Sequence, residues 1–105
     1  MNFIAIYITA KDIDQAKVIG RKLVEERLVA CVNIIPAIES MYWWQGAICS
    51  DREAIIIAKT KRSLFDKVEQ RVKELHSYEV PCIVSYPIEK GNQEYLDWIE
   101  HETNG

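Results

Sequence analysis

The segment Phe3-Ile4-Ala5-Ile6-Tyr7-Ile8 carries no charged or strongly polar side chain at either parity, and Ala54-Ile55-Ile56-Ile57-Ala58 repeats the pattern. Both are rich in β-branched and aromatic residues and read as strands. Successive side chains of a strand point to opposite faces, so a run that is apolar throughout has two faces to cover. A chain of 105 residues supplies one domain, spanning 1–105, and no second one to provide that cover. Leaving about six such side chains wet would forgo on the order of 10 kcal/mol, at roughly 1.5–3 kcal/mol each. That is comparable with the whole stability of a small domain. The expected cover is another copy of the chain, because closed symmetric homo-oligomers are the common solution.

The remaining elements follow from local signals. Asp12 opens a helix with Gln15 at capping-box spacing, and Ile13, Ala16, Gly20, Leu23 and Val24 form its apolar stripe. A second β region runs from about Ala30 to Trp44, with Pro36 marking a bend, bulge or edge position. Gln45-Gly46 is the hairpin signal, and the return strand reaches Thr60. Both arms exceed the usual five or six residues, so a long hairpin should project, with Tyr42-Trp43-Trp44 exposed at its tip as further contact surface. Ser63 is the expected cap of the next helix, whose stripe is Leu64, Phe65, Val68, Val72 and Leu75. Pro81 precedes a strand from Cys82 to Tyr86, ended by Pro87. Asn92 then caps a short C-terminal helix carrying Tyr95, Leu96, Trp98 and Ile99. The order is β-α-β-β-α-β with an extra C-terminal helix, an α+β ferredoxin-like arrangement with two helices on one face of a four-stranded antiparallel sheet.

Charge and cysteine usage narrow the function. Thirteen Lys and Arg against sixteen Asp and Glu give a formal charge of −3, which argues against nucleic acid as a partner. No apolar run approaches the roughly 20 residues of a membrane span, and Met1-Asn2-Phe3 lacks the basic start of a signal peptide. Cys31, Cys49 and Cys82 are odd in number and widely spaced, so free thiols in the cytoplasm are expected. Cys31 and Cys82 read as small buried hydrophobes, and Cys49 as the exposed thiol.

The chemistry commonly carried by such a fold is thin here. A soft-metal chaperone would place paired cysteines in the first strand-to-helix loop, which is Thr9-Ala10-Lys11-Asp12. An acyl-phosphate hydrolase would need a glycine-rich anion cradle with an arginine there, and an RNA-binding module would need aromatics where Ile55-Ile56-Ile57 stand. No serine sits in a nucleophile elbow, and no Walker loop is present, so the reading is of a binding protein and not an enzyme. Of the two histidines, His101 reads as a solvated helix end. His76, at the end of the second helix, reads as a structural cap or as a metal ligand.

Taken in order, Ala30-Cys31-Val32-Asn33-Ile34, Ser40-x-Tyr42-x-Trp44-x-Gly46, Lys59-Thr60, Leu75-His76-x-Tyr78-Glu79-Val80-Pro81 and Tyr95-Leu96-x-Trp98 cover essentially the whole chain. Together they resemble the divalent-cation tolerance protein family, CutA. The resemblance implies a PII-like homotrimer with interlocking long hairpins, a cytoplasmic role in the response to metal ions, and weak binding of copper(II) or a similar divalent cation. It points to His76 and Glu79 as metal ligands. It also points to an intersubunit cleft at the hairpin base lined by Tyr42, Trp44, Lys59, His76, Tyr78 and Glu79. The chain has Ile8 and Leu75 where some members have a copper-ligating cysteine and a second histidine, and Ser77 and Cys82 where Pro and Glu are common. The alternative implied is a PII-like trimer that senses a small ligand or scaffolds a partner at that cleft, with no dedicated metal and no organic cofactor.

The two-sided strands generate the first testable expectation. Sedimentation at micromolar concentration should show an assembly larger than the 12.2 kDa chain, and a monomer there would overturn the argument.

Overall fold

A computed structural model describes residues 2–104. The elements are β1 (Phe3–Ala10), α1 (Ile13–Glu25), β2 (Cys31–Trp44), β3 (Ala47–Lys61), a single 3-10 turn (Arg62–Leu64), α2 (Phe65–Leu75), β4 (Ile83–Pro87) and α3 (Gln93–Glu102). The four strands form one antiparallel sheet in the order β2-β3-β1-β4, which is the ferredoxin-like order expected from the sequence.

The central pair β1 and β3 sets the core. Ile4, Ile6, Ile8 and Ala10 stand opposite Thr60, Ala58, Ile56 and Ala54 on one face, all of them buried. Ala16, Ile19 and Leu23 of α1 and Val68 and Val72 of α2 cover that face. The opposite face carries Phe3, Ala5, Tyr7 and Thr9, each half-buried within one chain. Val84 and Tyr86 on β4 extend it as exposed surface. Two-sided apolarity is therefore real, and one chain covers one side fully and the other in part.

Part of that second face is covered by α3. The Tyr95 hydroxyl lies 3.4 Å from the Cys31 thiol, the Lys59 ammonium lies 5.9 Å from the centroid of the Tyr95 ring, and Lys61 pairs with Glu100 at 3.0 Å. Cys31, Lys59 and Lys61 share the parity of Tyr7, so α3 crosses the sheet on the side away from α1 and α2.

The hairpin is built as the sequence indicates. Gln45 and Gly46 have φ of 50° and 80°, the paired positive values of a two-residue primed turn, and Trp44 pairs with Ala47 across it. Pro36 sits in a bulge: the register steps from Ile35 opposite Ile55 to Ile38 opposite Glu53, leaving Pro36 and Ala37 against one residue. The arms give the molecule its 45 Å long axis, and Tyr42, Trp43 and Trp44 are exposed at its end.

Several local expectations are corrected. Ser63 does not cap α2; it lies inside the 3-10 turn, and the Phe65 N–H closes onto the Arg62 carbonyl, so no side-chain cap is used there. On α1 the buried position is Ile19, while Val24 is exposed, because the stripe tracks toward β2 and β3 one residue earlier than expected. On α3 only Ile99 is fully buried, and Tyr95 and Trp98 are substantially exposed. β4 starts at Ile83, one residue after Cys82. The thiols also exchange places: Cys82 is exposed on the half-covered face, whereas Cys49, opposite Tyr42 in the hairpin, is half-buried, as is Cys31.

Ile6 has no exposed surface, so Ile6→Ala removes core methyls where the sheet and two helices constrain collapse. Urea denaturation is expected to show a loss of about 2–5 kcal/mol. Val18→Ala, on the wet side of α1, should stay within about 0.5 kcal/mol.

Candidate functional site

The half-covered sheet face meets the base of the hairpin in a cleft of about 660 Å³. Tyr7 and Thr9 from β1 form its floor, Ile38 to Tyr42, Trp44 and Glu53 come from the hairpin, and Tyr78 to Val80 and Cys82 close it from the loop between α2 and β4. The volume falls in the range of small-molecule sites.

The loop wall is held by His76, the residue that ends α2. The Thr9 carbonyl can only accept, so the His76 Nε2–H donates to it at 2.7 Å. Nδ1 in turn accepts from the Tyr78 N–H at 3.0 Å. These two bonds fix the neutral tautomer and occupy the one ring nitrogen that would otherwise offer a lone pair. The imidazole also packs against the Tyr78 ring, centroids 4.6 Å apart. Gln15 adds a second tie: its backbone N–H is capped by Asp12 at 2.8 Å and its amide donates to the Ser77 hydroxyl at 2.7 Å. The start of α1 thus anchors the loop.

Tyr78, so placed, donates its hydroxyl to Glu53 at 2.9 Å. Glu53 is only 9% exposed and, among the described residues, it pairs with no Lys, Arg or His. Tyr42 makes the parallel contact, donating to Asp51. Glu39, Glu53 and Glu79 line the cleft and no basic side chain does.

The tyrosines register this negative environment. The hydrogen bond to Asp51 pushes the Tyr42 phenol up to about 12. Burial, then the bond to Glu53, raises Tyr78 well above the ordinary phenol range. Burial, then the neighbouring Cys82, Tyr86 and Glu53, raises Tyr7, while burial and the charge of Glu53 raise the Cys82 thiol, partly offset by hydrogen bonds from Thr9. A thiol held protonated is a poor metal donor.

Of the expected cleft residues, the structure brings together Tyr42, Trp44, Tyr78 and Glu79. His76 stands behind the wall and does not line the cleft. Lys59 lies elsewhere: it pairs with Ala5 and Cys31 toward the far end of β3 and donates to the Asn33 side chain at 2.6 Å. Ile8, in place of a ligating cysteine, points into the core with no exposed surface. No three His, Cys, Asp or Glu side chains converge to hold a metal ion among the described residues. Sequence reasoning did not place Glu53, Tyr7 or Cys82 in the cleft. The available signal for Glu53 was a carboxylate set directly against the apolar run Ala54–Ala58.

The profile described as "CutA1 divalent ion tolerance protein" matches residues 4–102. The chain belongs to this family. The divalent-cation tolerance protein CutA of Thermus thermophilus is 48% identical over 98 residues, covering 93% of this chain and 95% of that one. Its counterpart in Archaeoglobus fulgidus is 47% identical over 95 residues, covering 90% and 92%. Among solved structures, the Thermus thermophilus protein superposes with a TM-score of 0.95 at 46% identity, covering 97% of this chain and 99% of that one. The CutA1 of Oryza sativa superposes at 0.96 with 39% identity, covering 99% and 95%. The solved Archaeoglobus fulgidus protein is described as periplasmic, and a rice relative as chloroplastic. Membership of the CutA divalent ion tolerance family and the ferredoxin-like fold are thus common to this chain and its relatives.

The raised phenols give this family member an alkaline signature. A phenol whose folded pKa exceeds the unfolded value of 10.0 contributes stability that is full below pH 10 and is lost as pH climbs through the raised value. Ultraviolet titration of tyrosinate is expected to lag free tyrosine while the chain is folded, with stability falling from pH 10 to 12. Uniform ionisation near pH 10 in the folded protein would contradict the Tyr42 and Tyr78 geometry.

Proposed function

We propose that this CutA family member is a cytoplasmic homotrimer that binds cations in the acid-lined cleft at the hairpin base and acts by binding, not by catalysis. The observation that carries the reading is Glu53, a carboxylate nine-tenths buried with no cationic partner among the described residues. A buried charge is costly unless it is paired, and the cleft beside it supplies two further carboxylates and no base. A cation entering the cleft completes a pair that the chain leaves half-made. The half-covered sheet face and the exposed hairpin aromatics, which further copies would cover, support assembly, and the family resemblance supports three copies. Three free cysteines favour a reducing compartment.

Copper(II) or another divalent cation is the metal form of this reading, in keeping with the names of the relatives. A resident metal centre within one chain does not fit, since the His76 lone pair is already used and no three donors converge among the described residues. The ion is bound weakly as a counter-charge to Glu53 and Glu79, keeping most of its water.

Calorimetric titration of the assembled protein with Cu(II) tests this. Glu53→Gln preserves shape and the bond from Tyr78 while removing the charge, and is expected to weaken copper at least about tenfold. His76→Ala removes the restraint on Tyr78 and no ligand, so the copper affinity of folded protein should stay within about threefold, a shift of about 0.7 kcal/mol. Copper affinity that ignores Glu53→Gln but collapses in His76→Ala would restore the imidazole as ligand and overturn the carboxylate assignment.

A further inference from the structure

The far end of the second sheet face gathers nucleophiles that the cation cleft does not use. Cys31 and Lys59 stand directly opposite each other on β2 and β3, and both are half-buried. Side chains so paired leave the strands about 5 Å apart. The Lys59 ammonium donates to Asn33 at 2.6 Å and lies 5.9 Å from the centre of the Tyr95 ring. The hydroxyl of that ring is 3.4 Å from the Cys31 sulfur. A thiol, a primary amine and a phenol thus share one patch. Lys59 is six positions along β3 from Glu53, about 20 Å away, at the end that the chain's own α3 reaches.

Two features suit this patch to covalent chemistry. Among the described residues Lys59 pairs with no carboxylate, whereas Lys61 is tied to Glu100 at 3.0 Å. Its charge can be lost without orphaning an acid. The bond to Cys31, then burial, pushes the Tyr95 phenol up to about 12, so at neutral pH the phenol keeps its proton. It can donate that proton's hydrogen bond to the negative charge a sulfur carries as it attacks or leaves.

We propose that Cys31 and Lys59 form an acyl-transfer pair, in which the thiol captures an acyl group from a small thioester and passes it to the amine, making Lys59 a site of acylation. In the first step the Cys31 sulfur attacks the thioester carbonyl. A new C–S bond forms, the old one breaks, and the departing thiol takes the Cys31 proton. In the second step the neutral Lys59 amine, released from Asn33, attacks the same carbonyl. A C–N bond forms, the bond to Cys31 breaks, and the proton lost by the amine goes to the sulfur. The product is an amide with the thiol restored, and nothing is oxidised or reduced. The cross-strand pairing makes this second step intramolecular, an advantage that an ordinary surface lysine lacks. Acylation also removes the charge that Lys59 holds beside the Tyr95 ring, and so weakens a tie between β3 and α3.

The test treats the assembled wild-type protein with S-acetyl-N-acetylcysteamine at about pH 8 and follows each lysine by peptide mass spectrometry over time. Lys17, on the exposed side of α1, is the internal reference. Lys59 is expected to acquire acetyl at least about tenfold faster than Lys17, despite being less exposed. Cys31→Ser should bring Lys59 down to the Lys17 rate or below and leave Lys17 itself unchanged. Lys59→Arg keeps the thiol and removes the acceptor, so a hydroxylamine-labile acetyl group should accumulate on Cys31. The wild-type ratio and Lys59→Arg decide the matter even where Cys31→Ser fails to fold. A Lys59 rate no greater than that of Lys17, or one that Cys31→Ser leaves unchanged, overturns the proposal. So does a Cys31 that stays unmodified in Lys59→Arg, or that keeps its acetyl group in the wild-type protein.

Discussion

The antiparallel pairing of β1 with β3 is the constraint on which everything else here depends. Eight residue pairs, from Phe3 with Lys61 to Ala10 with Ala54, run through the centre of the sheet with mostly apolar side chains on both sides. On one side the two amphipathic helices bury Ile4, Ile6, Ile8 and their partners completely. On the other, α3 reaches only the end marked by Cys31, Lys59 and Lys61. The middle of that face and the hairpin beyond it are left for another surface, at an energetic scale similar to the stability of the domain. The long hairpin belongs to the same solution, since it extends apolar and aromatic surface well past the domain's own core.

The cleft arises where that half-covered face ends. Glu53 is the residue at which β3 passes from the mixed hairpin arm into its all-apolar stretch, directly after the Pro36 bulge on β2. The bulge alters the strand's course at this point, and the Tyr78 loop closes over the opening. His76 acts by position. With its Nε2–H on Thr9 and its Nδ1 under the Tyr78 amide, it couples the end of α2 to β1 and sets the wall. A histidine engaged on both ring nitrogens supports a site without being a ligand in it. Glu53 lies in this acidic cleft nine-tenths buried, and among the described residues it pairs with no cationic side chain.

The periodic features were legible because they depend on neighbours in sequence. The Asp12 cap with Gln15, the Gln45-Gly46 turn and the bulge at Pro36 are each decided by backbone chemistry within a few residues, and the structure keeps all three. The stripe of α2 followed from spacing in the same way, and the element order along the chain led to the ferredoxin-like arrangement. Where local signals failed, a distant element had intervened. Ser63 lost its cap to a 3-10 turn leaving β3, and Tyr95 was drawn onto Cys31 and Lys59 at the edge of the sheet. Cys82 is exposed beside the sheet face that α1 and α2 leave uncovered, and Cys49 is half-buried opposite Tyr42 in the hairpin.

For this protein, then, the sequence alone determined the element types, the ferredoxin-like order, the family and the need to cover a second sheet face. Hydrophobic period and turn chemistry are short-range, so one chain's letters suffice to state them. It also named four of the residues that line the cleft. Only the tertiary structure decided that Lys59 stands apart, that His76 is committed on both nitrogens, and that Glu53 is buried without a counter-charge. Those facts join residues up to 67 positions apart through hydrogen bonds. Burial and pairing are properties of the three-dimensional neighbourhood, which no pattern along the chain encodes.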